Sequence, residues 1–208
     1  MSISLEKYDT LKSVIFDIRL PRIIAAVLIG SSLAISGAAF QAMFVNPLVS
    51  PGILGVLSGA SFGAALGMVM GWSWFFINLS TFIFGLIAVL FALLISFIYS
   101  SAKNMIILVL GGIISSSLFS ALLSIVKYAA DPYDALPAIT YWLMGSLAFS
   151  TPNVVWNLSI PLVLGMIILI FLSKYLNALS LGDEEAKALG VDTKKIKINI
   201  LPRIHELK

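Results

Sequence analysis

The chain contains no cysteine. Disulfides, thiolate metal sites and cysteine nucleophiles are therefore outside its chemistry. Histidine is nearly as scarce, and the single one, His205, lies in a polar tail, where it reads as a solvated side chain and not as a ligand. Charge is scarce as well. Only 11% of the residues are Asp, Glu, Lys or Arg, against roughly 25% in a soluble domain. Between Arg22 and Lys174 the ionised side chains are Lys103, Lys127, Asp131 and Asp134 alone. No ionisable group falls in the middle of an apolar run, and proton- or sodium-coupled carriers use such groups. No Gly-x4-Gly-Lys-Ser/Thr stretch occurs, so the chain does not bind ATP through a phosphate-binding loop. No catalytic constellation, metal site or cofactor site is visible. The first 22 residues lack the apolar run of a cleavable signal peptide, so none is expected there.

What is present is apolar: 60% of the 208 residues are hydrophobic. Runs at 23–44, 52–70, 74–99, 105–126 and 156–176 read as helical spans. A run of about 22 residues at ~1.5 Å each matches the ~30 Å hydrocarbon core of a bilayer. The expected fold is an all-α, polytopic transmembrane helical bundle of about five spans, one partial domain over 1–208, embedded in lipid. Asn46-Pro47-Leu48 and Pro51-Gly52 break the first span from the second. Residues 1–22 read as polar, 127–139 as a polar connection, and 141–145 as an apolar piece too short to span. The basic balance, with a pI near 9.2, comes from Lys and Arg flanking the spans, where they set topology; nucleic acid is not an expected partner. Trp72, Trp74, Trp142 and Trp156 fall near span ends, as an aromatic belt places them.

Small residues recur every fourth position in the first two spans: Ala26, Gly30, Ala34, Ala38 and Ala42, then Gly55, Gly59, Gly63, Gly67 and Gly71. Such a face lets helix backbones approach closely. Gly30, Gly55, Gly59 and Gly63 are accordingly expected in helix packing, and leucine at Gly59 is expected to separate these two spans. The fourth span carries Gly112, Ser116, Ser120 and Ser124 at the same spacing, beside Ser115 and Ser117. Its hydroxyls suit either packing or a wet pathway, and spacing alone leaves both open. Lys174, Lys187, Lys194, Lys195, Lys197, Arg203 and Lys208 put the C-terminal end in the cytoplasm. Five spans then place the basic N-terminal segment outside. Such a segment translocates poorly without a span before it, so a further helix upstream of Met1 is expected.

Residues 19–59 carry a resemblance. Arg-Leu-Pro-Arg at 19–22, a small-residue-rich helix, Ser-Gly-Ala-Ala-Phe-Gln at 36–41, Asn-Pro-Leu at 46–48, Pro-Gly-Ile-Leu-Gly at 51–55 and Ser-Gly-Ala at 58–60 follow in order. This sequence resembles the permease subunit of ABC importers for iron-siderophore, haem and vitamin B12. The likeness covers nearly the whole chain, is specific to the family and does not single out one substrate. It implies a subunit of a normally ten-span fold in the cytoplasmic (inner) membrane, with a separate ATP-binding subunit, a periplasmic or lipoprotein substrate-binding protein and a second permease copy as partners. The chain itself is then no enzyme. Leu181, Gly182, Asp183, Glu184, Ala186, Lys187, Leu189 and Gly190 read physically as a short capped helix, with acids at its positive end and a glycine at its C-terminus; the resemblance implies that 181–191 is the loop that couples to the ATPase. Arg19 and Arg22 are suited to carboxylates by their planar, bidentate fork. The resemblance implies that they dock the binding protein; plain interfacial anchoring is the other reading. Asn46, Pro47, Leu48 and Asn104 are implied to narrow the inner mouth of the pathway, with Gln41 bonding between helices nearby and Ser116 and Ser120 lining the path. The polar end after 200 departs from the family, which continues into four more spans. A truncated or frameshifted, non-transporting fragment is therefore one alternative expectation, and an unrelated passive channel or secondary carrier is another.

Overall fold

The computed structural model describes residues 2–99, 105–148 and 150–180. All regular structure among them is helical. Helix α1 spans Ser2–Ser13 and passes through a π-helical stretch, Val14–Arg19, directly into α2, Leu20–Phe44. The polar residues 2–19 are thus helical and continuous with the first span. Pro21 sits in the first turn of α2, which continues directly from the π stretch. In the π stretch before it Leu20 N–H donates to Ile15 O, and the helix continues through the proline without a break.

The second apolar run also differs from expectation. A 3-10 turn, Pro51–Leu54, is separated from α3, Val56–Val69, by Gly55 at φ 83°. A left-handed residue at that point ends one helix and starts another. The 14 residues of α3 rise about 21 Å, short of a bilayer crossing. Helices α4, Trp74–Tyr99, α5, Met105–Ala129, and α7, Pro152–Ser180, are longer. Among the described residues, four helical stretches, Lys7–Phe44, Trp74–Tyr99, Ile106–Ala129 and Pro152–Asn177, are long and apolar enough to cross a membrane, where about five were expected. The apolar piece at 141–145 belongs to a further helix, α6, Ala135–Met144, which stops at Gly145 with φ 71°.

Contacts divide the chain into two compact units, residues 1–49 with 147–208, and residues 50–146. In the first, α2 packs along α7. In the second, α3 packs on α4 and α5, and α4 on α5. A side chain at Gly59 would overlap Phe84 O and the Ala88 methyl; one at Gly63 would come within 2.6 Å of Ser80 O. Gly111 lies equally close to Ala92 O, and Gly112 lies against Ile53 O. The partner of the α3 glycine face is thus α4, not the preceding span. Two buried hydroxyls cross between helices: Ser80 Oγ donates to Gly63 O at 2.9 Å, and Ser115 Oγ to Ala88 O at 2.7 Å. Phe62, Phe84 and Phe119 close the same seam, Phe84 meeting the other two rings edge to face and Phe62 tilted against Phe119, the tightest pair at 4.9 Å between ring centres. Ala65, Ala130 and Ile139 form a small core where α6 meets α3.

Candidate functional site

The expected site residues fall into four places. The first is the turn that ends α2. Val45 takes a left-handed conformation, φ 48° and ψ 38°, and its N–H donates to Ala42 O. Asn46 N–H donates to Gln41 O at 3.2 Å. Asn46 Oδ1 then accepts from Leu48 N at 2.9 Å, an Asx turn around Pro47. Gln41 Nε2 donates to Pro47 O at 3.0 Å. Gln41 therefore clips the turn to its own helix and does not bond to a neighbouring one, because the chain reverses within reach of its amide. These bonds form a corner that holds Leu48 out, 88% exposed, and tucks Val49 in. A β-branched residue in the left-handed region is strained, which spacing could not reveal.

The second place holds the two arginines. Arg19 ends the π stretch and Arg22 lies three residues on, so both fall on one strip of the helix. Both are exposed. Arg22 Nη2 donates to Ala148 O at 3.0 Å, in the connection that leads into α7. Beside it, an apolar groove of about 350 Å³ is lined by Phe16, Leu20, Pro21 and Ile24 on one side and Pro152 and Trp156 on the other.

The third place is the serine face of α5. Ser116 lies against Gly55, whose added side chain would meet its backbone N at 3.1 Å and its Oγ at 3.2 Å. Ser120 Oγ reaches Ser58 Oγ at 3.3 Å. Ser120 is exposed and Ser116 half-buried. This face is therefore mixed, with Ser115 sealed in a helix contact and Ser120 open. Of the predicted packing glycines, Gly59 and Gly63 stand in tight contact with α4, Gly55 serves the break before α3, and Gly30 meets nothing within 4 Å.

The fourth place, the 181–191 segment, lies outside the described residues, as does Asn104. Sequence reasoning missed the bond from Ser80 and the seating of Ile53 O on Gly112. The signals were present: Ser80 is a hydroxyl inside an almost wholly apolar run, and Gly111-Gly112 is a paired glycine at a span's first turns. Among the described residues, no group of three or more Asp, Glu, His or Cys could hold a metal ion. Together the described places offer a capped corner, a cationic strip and a hydroxyl-bearing seam.

Comparison with known proteins gives these features a context. The model of the FecCD transport family matches residues 1–203. The molybdate import system permease protein MolB of Haemophilus influenzae is 44% identical over 180 residues, covering 86% of this chain and 53% of that protein. The hemin transport system permease protein HmuU of Yersinia pestis is 35% identical, covering 93% and 59%. The vitamin B12 import system permease protein BtuC of Salmonella paratyphi A is 35% identical, covering 85% and 54%. A solved structure described as a metal-chelate type ABC transporter in an inward-facing conformation superposes with a TM-score of 0.83 at 42% identity, covering 91% of this chain and 60% of that one. The chain spans about half the length of the curated relatives it matches.

Proposed function

The chain belongs to the FecCD transport family, and from that premise we propose that it is the membrane-spanning part of an ABC importer permease. The observation that carries this reading is the close superposition on a metal-chelate type transporter over nine-tenths of the chain. The cargo class is a metal-bearing solute: an iron chelate, haem or a corrinoid, with molybdate added by the relative at 44% identity. ATP hydrolysis belongs to a separate subunit, in keeping with the lack of a phosphate-binding loop in this sequence. Residues 181–191 couple to that subunit, Arg19 and Arg22 dock a substrate-binding protein, and the Asn46–Leu48 corner with Asn104 borders the inner mouth. The pathway runs beside a second permease copy. The C-terminal end is cytoplasmic, a placement supported by its lysines.

Uptake of radiolabelled molybdate, ferric siderophore, haem and cobalamin in a strain lacking the matching permease tests the cargo. Uptake of one that needs the ATPase supports the reading, and flux independent of ATP indicates a passive channel or carrier. A second reading, favoured by the length comparison, is that these residues form a non-transporting portion of such a permease; uptake that requires residues beyond Lys208 supports it. Gly182→Asp or Leu189→Asp is expected to abolish co-purification with the ATPase, and unchanged co-purification removes the coupling role.

A further inference from the structure

The bond from Arg22 to Ala148 distinguishes two arginines that spacing treats alike. Its acceptor lies 126 residues away in sequence. That acceptor is itself held. Ser150 N–H donates to Leu147 O at 3.1 Å, closing a turn around Ala148. Thr151 Oγ1 accepts from Val154 N at 3.5 Å, and Pro152 opens α7. The carbonyl therefore lies between two hydrogen bonds, one at Leu147 and one at the first turn of α7.

We propose that Arg22 is the pre-oriented member of the pair: Ala148 O sets the plane of its guanidinium, so that it presents a ready fork to a carboxylate on the docking protein, while Arg19 supplies charge without fixed geometry. This rests on the docking reading above. A guanidinium has five N–H donors, and one bond to a neutral carbonyl uses one of them. A carboxylate takes two others in parallel, each charge-assisted. A freely rotating arginine loses rotamer freedom when it is captured; one already anchored has less to lose. The anchoring bond leaves Arg22 exposed to an incoming partner. Lysine cannot copy the arrangement, because its ammonium is a point charge without a planar fork. Arg22 is thus a positioned docking residue, and Ala148 is part of the docking surface through it.

Two measurements on the full chain in membranes separate this inference from the docking reading. Phenylglyoxal labelling followed by mass spectrometry needs no partner. Arg22 is expected to react about fivefold more slowly than Arg19, the effect of one net hydrogen bond. Ser150→Pro removes the N–H that closes the turn and is expected to bring the two rates together. Equal rates in the unaltered chain overturn the inference. The second measurement is the affinity of the substrate-binding protein that co-purifies with the assembled importer. Arg22→Lys is expected to weaken it about tenfold and Arg19→Lys less than about threefold, with the difference lost in a Ser150→Pro background. Equal costs at the two arginines also overturn it. Unchanged affinity in Arg19→Glu with Arg22→Glu overturns the docking reading, and with it the proposed partner, but not the anchoring that labelling measures.

Discussion

Helices α2 and α3 carry the same four-residue rhythm of small side chains, yet the fold uses them differently. On α3 the glycines are consumed by contact: Gly59, Gly63 and Gly67 are buried, with α4 backbone or side chains where a methyl would stand. On α2, Gly30 and Gly37 face nothing within 4 Å. The serines repeat the contrast. Ser31, Ser32 and Ser36 of α2 return their hydroxyls to carbonyls of their own helix, Val27 O at 2.7 Å, Ile29 O at 2.9 Å and Leu33 O at 3.2 Å. Ser80 and Ser115 send theirs across to another helix. The apolar windows of α5 and α7 are buried to 22% and 6% respectively. Where lipid removes the hydrophobic drive between helices, a small-residue stripe permits close approach without requiring it. Identity of the neighbour decides whether it is used.

Leucine at Gly59 gives the largest test of that contrast. It forces α3 off the Phe84 carbonyl and is expected to lower stability by about 3 kcal/mol or more, read as the midpoint of thermal unfolding in detergent. Gly30→Leu meets open space, and leucine is the better helix former, so a change within about 1 kcal/mol and of favourable sign is expected. Equal losses at both positions would show that α2 is packed as tightly as α3. Ser115→Ala comes next. It removes a wholly buried donor to Ala88 O and is expected to cost about 1 kcal/mol, whereas Ser36→Ala, which breaks only a bond within its own helix, is expected to cost less than about 0.5 kcal/mol. A reversed order would sink the claim that the α5 hydroxyl holds the seam. The smallest effect is at the corner after α2. Val45→Asn relieves a β-branched residue from the left-handed region and is expected to raise stability by up to about 1 kcal/mol. A loss there would mean that the partly exposed valine side chain contributes more than its backbone strain removes.

Much of this architecture was legible in the sequence. The bounds of α4, Trp74–Tyr99, follow from a long, uncharged and mostly apolar run closed by Gly71-Trp72 before it and polar residues after it. The α3 glycine face was legible as a packing face, but not its partner, because periodicity describes one helix at a time. The corner was legible as a helix stop at Asn46-Pro47. That Gln41 clips it was not, since an amide six residues from its acceptor in sequence carries no local signal. The continuity of α1 into α2 was hidden by polar composition and by Pro21, both of which argue for an end when read locally. Arg19 and Arg22 looked equivalent because their distinction depends on a carbonyl far along the chain. The family, by contrast, was legible from the order of short motifs, and the match over residues 1–203 agrees with it.

The break at Pro51–Gly55 has a consequence for how the chain is made. Because α3 alone rises only about 21 Å, the preceding 3-10 turn must lie partly at hydrocarbon depth if this segment is to reach across. Irregular backbone is tolerated there only under cover of protein. The cover for the Ile53 carbonyl is Gly112, which leaves the ribosome only after the whole of α4. Until then, α3 can already pack on α4, but the Ile53 carbonyl lacks its cover. Glycosylation tags on nascent chains halted before and after α5 would read this: protection of the α3 segment that is complete before α5 emerges would sink the idea. Otherwise the 3-10 turn is completed late, its open carbonyl closed over only when Gly112 of α5 arrives.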